Sequence, residues 1–300
     1  MSAREPALPA VTRQDIPLTT DGGHRISLRV FPSESSRSVV IVASAMGVGQ
    51  HCYERFARFL SGEGFTVITF DYFGTGASLQ GHLRDCPASV TDWGNEDCHA
   101  VIDFARRHYP GHRLQWIGHS VGGQLLGMTP NVNLLDHAVT IACGSGYWRE
   151  NSPPTKRIAW LLWYFLAPVS VKVLGYFPGE RLNIVGDLPP NVIRQWRYWC
   201  LDPEYAVGAE GAALREQFGS VKVPITAVAF TDDEMMSRRN VESLHGFYSE
   251  ASVAMRRIDP ADVGESRIGH LGWFREQYRE SVWRKVLLPL LTSSGQSLAE

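Results

Sequence analysis

The sequence predicts an α/β fold: a mostly parallel central sheet with helices on both faces, carrying a helical cap. Two observations predict it. Short continuous apolar runs alternate with amphipathic stretches at helical spacing, the order that builds a parallel sheet covered on both sides. One stretch, 147–220, breaks this alternation, and the alternation resumes after it. The expected organisation is therefore a core from 1–146 and 221–300 with a cap insertion at 147–220.

Each element has its own pattern. Residues 1–10 are rich in Pro and Ala and are expected to be disordered. Residues 24–31 alternate in part, through Ile26, Leu28 and Val30, as a half-exposed strand does. Residues 39–43 are uniformly apolar, as a strand buried on both faces requires, and end in the small-residue loop Ser44-Ala45-Met46-Gly47. Residues 50–61 set Cys52, Phe56, Phe59 and Leu60 on one helical face, and Gly62 and Gly64 stop them. A buried strand at 65–70 leads into Asp71-Tyr72-Phe73-Gly74-Thr75-Gly76, and 95–108 forms a second amphipathic helix. Residues 114–117 and 138–142 are further strands. The cap carries five of the nine tryptophans (148, 160, 163, 196 and 199) and two Pro-Pro pairs. Strand, helix and strand then follow at 224–230, 241–248 and 253–258, with a closing helix at about 274–291 and a frayed end at 292–300.

Composition narrows the function classes. The chain has 300 residues, 44% of them hydrophobic, and a net charge of −2 without a basic block. Nothing in that balance points to nucleic acid or an anionic membrane as a partner. Cys52, Cys86, Cys98, Cys143 and Cys200 are odd in number and contain no Cys-x-x-Cys. Reduced thiols and a cytoplasmic location are the expectation. The first ten residues have no apolar signal-peptide core. The longest apolar run, 158–171, is interrupted by Pro168 and is short of the ~20 residues that span a bilayer, so no transmembrane segment is expected. No histidine–carboxylate spacing suggests a metal. Gly74-Thr75-Gly76 lacks the third glycine of a nucleotide loop, so no cofactor is expected.

The chemistry centres on Gly118-His119-Ser120-Val121-Gly122. A strand that stops abruptly, a serine and then a helix make a nucleophile elbow, whose tight turn requires neighbours without Cβ atoms. A bare Gly-rich turn is the plainer reading of five residues; the strand before and the helix after favour the elbow. The Val121 N–H at the helix start can stabilise an oxyanion. A serine hydroxyl needs a base. Of the ten histidines, His270 alone sits in a glycine-flanked loop after the last strand. His24, His82, His108, His112 and His245 fall in polar turns or helix ends, where solvation is the default. His51, His99 and His137 lie away from the strand ends, and His119 points opposite to the serine beside it. The acid is expected in Asp232-Asp233-Glu234, at the end of the strand at 224–230. One of these carboxylates is expected to cap the next helix and one to hold the imidazole. The Met-Met-Ser that follows suits Asp233 for the second role better than Asp232.

With Ser, Asp and His in this order, the chain resembles the α/β-hydrolase fold superfamily, across nearly its whole length outside 147–220. Asp71-Tyr72-Phe73-Gly74-Thr75-Gly76-Ala77-Ser78 resembles that family's Asp-x-Arg-Gly-x-Gly-x-Ser loop. Trp93-Gly-x-x-Asp97, the elbow, Ile268-Gly-His-Leu-Gly-Trp-Phe274 and Trp283 resemble a subgroup of predicted hydrolases near lipase-like and serine-aminopeptidase-like enzymes. The resemblance implies Ser120 as nucleophile, Asp233 as acid and His270 as base. Ala43-Ser44-Ala45-Met46-Gly47 stands where many members have His-Gly-x-x-Gly. It implies Ala45 as the second oxyanion donor, with Met46 as the neighbouring alternative. Phe73 replaces the usual Arg, so a buried ion pair at that loop is expected to be absent.

The expected reaction is acyl transfer to Ser120 and then to water. The expected substrate is a small carboxylic ester, or a thioester or amide, of an apolar acyl or aromatic group. The cap aromatics serve either to line its pocket or to join cap and core. An acyltransferase with the same triad and a non-catalytic small-molecule receptor are the other classes this pattern fits.

Overall fold

A computed structural model describes residues 12–292. Expectations for residues 1–10 and 293–300 lie outside the described residues. Eight strands form one sheet: β1 (Gln14–Thr19), β2 (Arg25–Phe31), β3 (Ser38–Ala43), β4 (Thr66–Asp71), β5 (Arg113–His119), β6 (His137–Ile141), β7 (Ile225–Phe230) and β8 (Val253–Ile258). Their order across the sheet is β1-β2-β4-β3-β5-β6-β7-β8. β2 pairs antiparallel with β1 and with β4, and every other pair is parallel. β1 went unforeseen. It contains Pro17 and turns mostly outward, so it shows little apolar pattern, and an edge strand tolerates the proline.

The two faces of the sheet follow the period-two alternation of its strands. Along β3, Val39, Ile41 and Ala43 enter one core with α2 (His99–His108), through Val101, Ile102 and Ala105. Val40 and Val42 enter the other with α1 (Glu54–Gly62), through Phe56, Phe59 and Leu60, and with Trp273 and Trp283 from the C-terminal region. Each of these large side chains contributes about 1.5–3 kcal/mol by leaving water. The C-terminal helix is wound as a π segment, Arg279–Leu287, that passes into a final α turn.

Between β6 and β7 the described elements are helical. They are α4 (Pro153–Leu174), α5 (Pro190–Leu201), α6 (Tyr205–Glu210) and α7 (Ala212–Gly219), apart from one isolated bridge, Phe177 to Leu188. Trp163, Trp196 and Trp199 join the same apolar cluster as α2. Helix α4 is longer than the apolar run at 158–171 indicated: its 22 residues are long and apolar enough, by length and composition, to cross a membrane. The apolar run is short because Lys156, Arg157 and Lys172 bound it; the helix extends past all three, and Pro168 does not break it. That proline sits in the first turn after a π-wound segment, Leu162–Leu166, and the helix continues through it.

Candidate active site

The parallel strands bring their carboxyl ends together, and the site lies there. Ser120 follows β5 directly. Its backbone is in the left-handed region (φ 53°, ψ −117°), a strained conformation for a residue with a side chain. Glycines allow the turn. A Cβ on Gly118 would lie 2.5 Å from the Gly122 carbonyl, and one on Gly122 would lie 2.3 Å from that of Ala43. The short helix α3 (Val121–Gln124) begins at once, which places the Val121 N–H at its first turn.

His270, 150 residues away, reaches Ser120 from the loop after β8. Its Nε2 lies 3.0 Å from Ser120 Oγ, and its Nδ1 lies 2.9 and 3.1 Å from the two Asp233 oxygens. A carboxylate accepts only, so Nδ1 carries the proton, and Nε2 is free to accept from the serine hydroxyl. All three residues are buried. The sequence left Asp232 and Asp233 in competition; the imidazole is on Asp233. Asp233 Oδ1 also accepts from the N–H groups of Met235 and Met236, both at 2.8 Å.

None of the three carboxylates caps the following helix, contrary to expectation. Ser237 does so, in a capping box with Asn240 ahead of α8 (Arg238–His245). Asp232 and Glu234 instead hold the His270 loop. Asp232 accepts from the N–H groups of Ile268 and Gly269 at 2.7 and 3.0 Å, and Glu234 accepts from the His270 N–H at 3.1 Å.

The oxyanion loop departs from expectation. The Ala45 N–H donates to Tyr53 Oη at 2.9 Å and so is already used. The Met46 N–H has no hydrogen-bond partner among the described residues, and the residue lines the cavity beside Ser120 and Val121. Of the two expected candidates, Met46 is thus the one whose N–H is left free beside Ser120.

Tyr53 itself was missed by the sequence reading. His119 Nε2 lies 3.0 Å from the His270 carbonyl, which can only accept, so Nε2 carries the proton. Nδ1 then accepts from the Tyr53 hydroxyl at 2.7 Å. Burial, reinforced by the charge of His270, holds the His119 pKa well below the usual range and keeps the ring neutral. One buried chain of bonds thus runs from the Ala45 N–H through Tyr53 and His119 to the backbone of the His270 loop.

The cavity above Ser120 holds about 40 Å³, little more than one water molecule occupies in the liquid. Its wall is apolar: Val48, Ile184, Val185, Trp196, Met235, Met236 and Leu271. Gln124 is the polar exception, and its amide is pinned by the Gly144 carbonyl and the Tyr205 hydroxyl. The cap tryptophans divide between the two roles expected of them. Trp196 lines the cavity, Trp163 and Trp199 join cap to core, and Trp160 is exposed. A cap loop crosses the oxyanion loop so closely that a Cβ on Gly47 would meet the Gly186 nitrogen at 2.6 Å.

The buried pair expected to vanish with Phe73 survives through another residue. Asp97 is fully buried and lies 2.6 Å from His24 Nε2, and it accepts from the Phe73 N–H at 2.7 Å. The His24 ring stacks on Phe73, with centroids 4.1 Å apart. Burial pushes Asp97 up to about 6, against the pull of His24. For His24 burial acts in the opposite sense, but the hydrogen bond and charge of Asp97 outweigh it and raise the pKa. His24 was expected to be a solvated turn histidine.

Residues 34–173, which hold the oxyanion loop and the elbow, match the family described as serine aminopeptidase, S33. A soluble variant of monoglyceride lipase from Saccharomyces cerevisiae superposes with a TM-score of 0.65 at 14% identity, covering 99% of this chain and 100% of that one. The chain has the α/β-hydrolase fold. Two esterases have the same fold. One from Pyrococcus furiosus gives a TM-score of 0.60 at 16% identity, covering 97% of this chain and 95% of that one. A thermostable carboxyl esterase from Bacillus coagulans gives 0.61 at 12%, covering 94% and 98%.

Proposed function

We propose that the hydrolase cleaves carboxylic esters of apolar acyl groups through an acyl-enzyme on Ser120, with His270 as base and Asp233 as acid. The observation that carries this reading is the unbroken line from Ser120 Oγ to His270 Nε2 at 3.0 Å and from Nδ1 to Asp233 at 2.9 Å. His270 takes the serine proton as Oγ attacks the carbonyl carbon. The negative oxygen meets the N–H groups of Val121 and Met46, each such donor being worth about 3–4 kcal/mol in the transition state. Protonated His270, held by Asp233, returns the proton to the leaving alcohol. Water then repeats the sequence on the acyl-enzyme and releases the acid.

The apolar wall favours an acyl chain over a charged or peptidic group. The volume beside Ser120 suits a short chain at rest. Met235 and Met236 are unbranched and adaptable, so longer chains fit as these side chains and Leu271 rearrange. The test is an esterase series from acetate to laurate, paired with a fluorophosphonate label. The wild type should label and turn over short and medium esters, and Ser120→Ala should do neither. A folded wild type that neither labels nor cleaves any member would overturn the reading.

A further inference from the structure

We propose that helix α4 is a lipid-docking surface that lies in the plane of an anionic bilayer. Three observations carry this. The first is what α4 leaves uncovered. Ala159, Trp163, Ala167 and Val171 form a buried stripe, one residue per turn. Around it Ile158 (63% exposed), Trp160 (53%), Leu161, Tyr164, Phe165 (56%) and Val169 stand in solvent. Large apolar side chains grouped on one helix are not the scattered exposure that ordinary surfaces show.

The second observation is charge. Lys156, Arg157 and Lys172 on α4 and Arg194 and Arg197 on α5 are cations, and neither helix contains an acidic residue. The chain as a whole carries −2. Among the described residues none of these five cations has a carboxylate partner. Lys172, Arg194 and Arg197 edge a groove of about 330 Å³ between the two helices, floored by Ala167, Pro168 and Val171. Arg197 bonds the Trp163 carbonyl and Arg194 the Asn191 side chain, so their charges stay unneutralised, and an apolar face flanked by such cations is the composition of a helix that sits at the headgroup boundary.

The third observation decides between occupants. A second copy of this chain, docked by two-fold symmetry, would bring the same five cations against each other. An anionic bilayer supplies hydrocarbon for the aromatic residues and phosphate for the groove together. Crossing the bilayer would require α4 to tear away its buried stripe, including the edge-on contact of Trp163 with Trp196, whose centroids are 5.0 Å apart. The helix therefore lies on the membrane rather than through it.

Trp196 also lines the cavity of Ser120. One aromatic pair thus separates the docked helix from the acyl site. That the ester is drawn from the bilayer rests on the proposed hydrolase function; the docking does not.

Co-sedimentation of the full-length Ser120→Ala protein with vesicles tests this. The parent should pellet with phosphatidylcholine vesicles containing phosphatidylglycerol, bind pure phosphatidylcholine weakly, and release in high salt. Trp160→Ser/Phe165→Ser should lose binding by tenfold or more, from the removal of two large aromatic anchors. Lys172→Ser/Arg194→Ser should lose the preference for the anionic lipid, by about fivefold per cation. Neither pair of changes, made in the Ser120 protein, should alter turnover of a soluble short-chain ester. The proposal fails if the parent stays in the supernatant with anionic vesicles, if the aromatic variant pellets as the parent does, or if the face proves to hold two copies together by light scattering. Vesicle binding without esterase activity would sink the ester reading alone, and esterase activity without vesicle binding the docking alone.

Discussion

Removing one oxygen, in Tyr53→Phe, tests how the oxyanion loop is held. The ring stays in its core, and only the hydroxyl goes. Two buried groups then lose their partners: the Ala45 N–H, now 2.9 Å from Oη, and His119 Nδ1, now 2.7 Å from it. A buried group left unsatisfied costs about 1–3 kcal/mol, so with two such groups the variant should be less stable by about 2–6 kcal/mol. A domain of ordinary stability survives this loss. Ala45 adjoins Met46, and its bond sets the path of the loop. Loosening that path misplaces the Met46 N–H relative to the developing oxyanion, and kcat should fall by about ten- to a hundredfold. KM should change little, because the apolar wall is untouched. Urea unfolding gives the first quantity, and kinetics on a p-nitrophenyl ester give the second. A variant that loses the expected stability yet keeps full kcat would show that the hydroxyl is structural only. A variant of unchanged stability would refute the bond network itself.

Two further outcomes follow from neighbouring features. Asp233→Asn should lower kcat by about 10⁴-fold, because the amide favours the wrong imidazole tautomer; Asp232→Asn, which touches only the N–H groups of Ile268 and Gly269, should lower it far less while reducing stability. Equal losses in the two variants would mean that the acid is shared. His24→Gln should destabilise the fold most just below neutrality: folding raises the His24 pKa, so its charged pairing with Asp97 fades as pH rises through that raised value, and it also fades in stronger acid as Asp97 takes up a proton near its own raised value of about 6. Chemical denaturation of wild type and variant in mildly acidic and mildly alkaline buffer should show the gap closing as pH rises; an equal gap at both would refute the charged pair.

The elbow was legible because its glycines are a local steric requirement. Gly118 and Gly122 have no room for a Cβ, and that shows in any sequence that folds this way. The proposed base, His270, was legible from its loop after the last strand. The acid was legible only to within three residues, because adjacent carboxylates on a turn differ in direction, not in chemistry. Tyr53 was invisible for a different reason. Its helix reads as core packing, and the partner that gives its hydroxyl meaning is 66 residues away. His24 was misread likewise, since its turn is polar in sequence while Asp97, 73 residues on, makes it half of a buried pair. Ala45 and Met46 could not be separated until the Tyr53 bond was seen, because a backbone N–H carries no residue identity.

The distance along the chain between Ser120 and its base has a consequence for biogenesis. The strained elbow forms from β5 and its neighbours, but His270 arrives only after β8 has paired with β7, 150 residues later. Pairings so distant close slowly, because the loop entropy is lost before the contact forms. A chain still emerging from the ribosome thus carries a serine with no base, chemically as inert as any other. Under the proposed function, esterase activity recovered on refolding would report that Ser120 and His270, 150 residues apart, have been brought together.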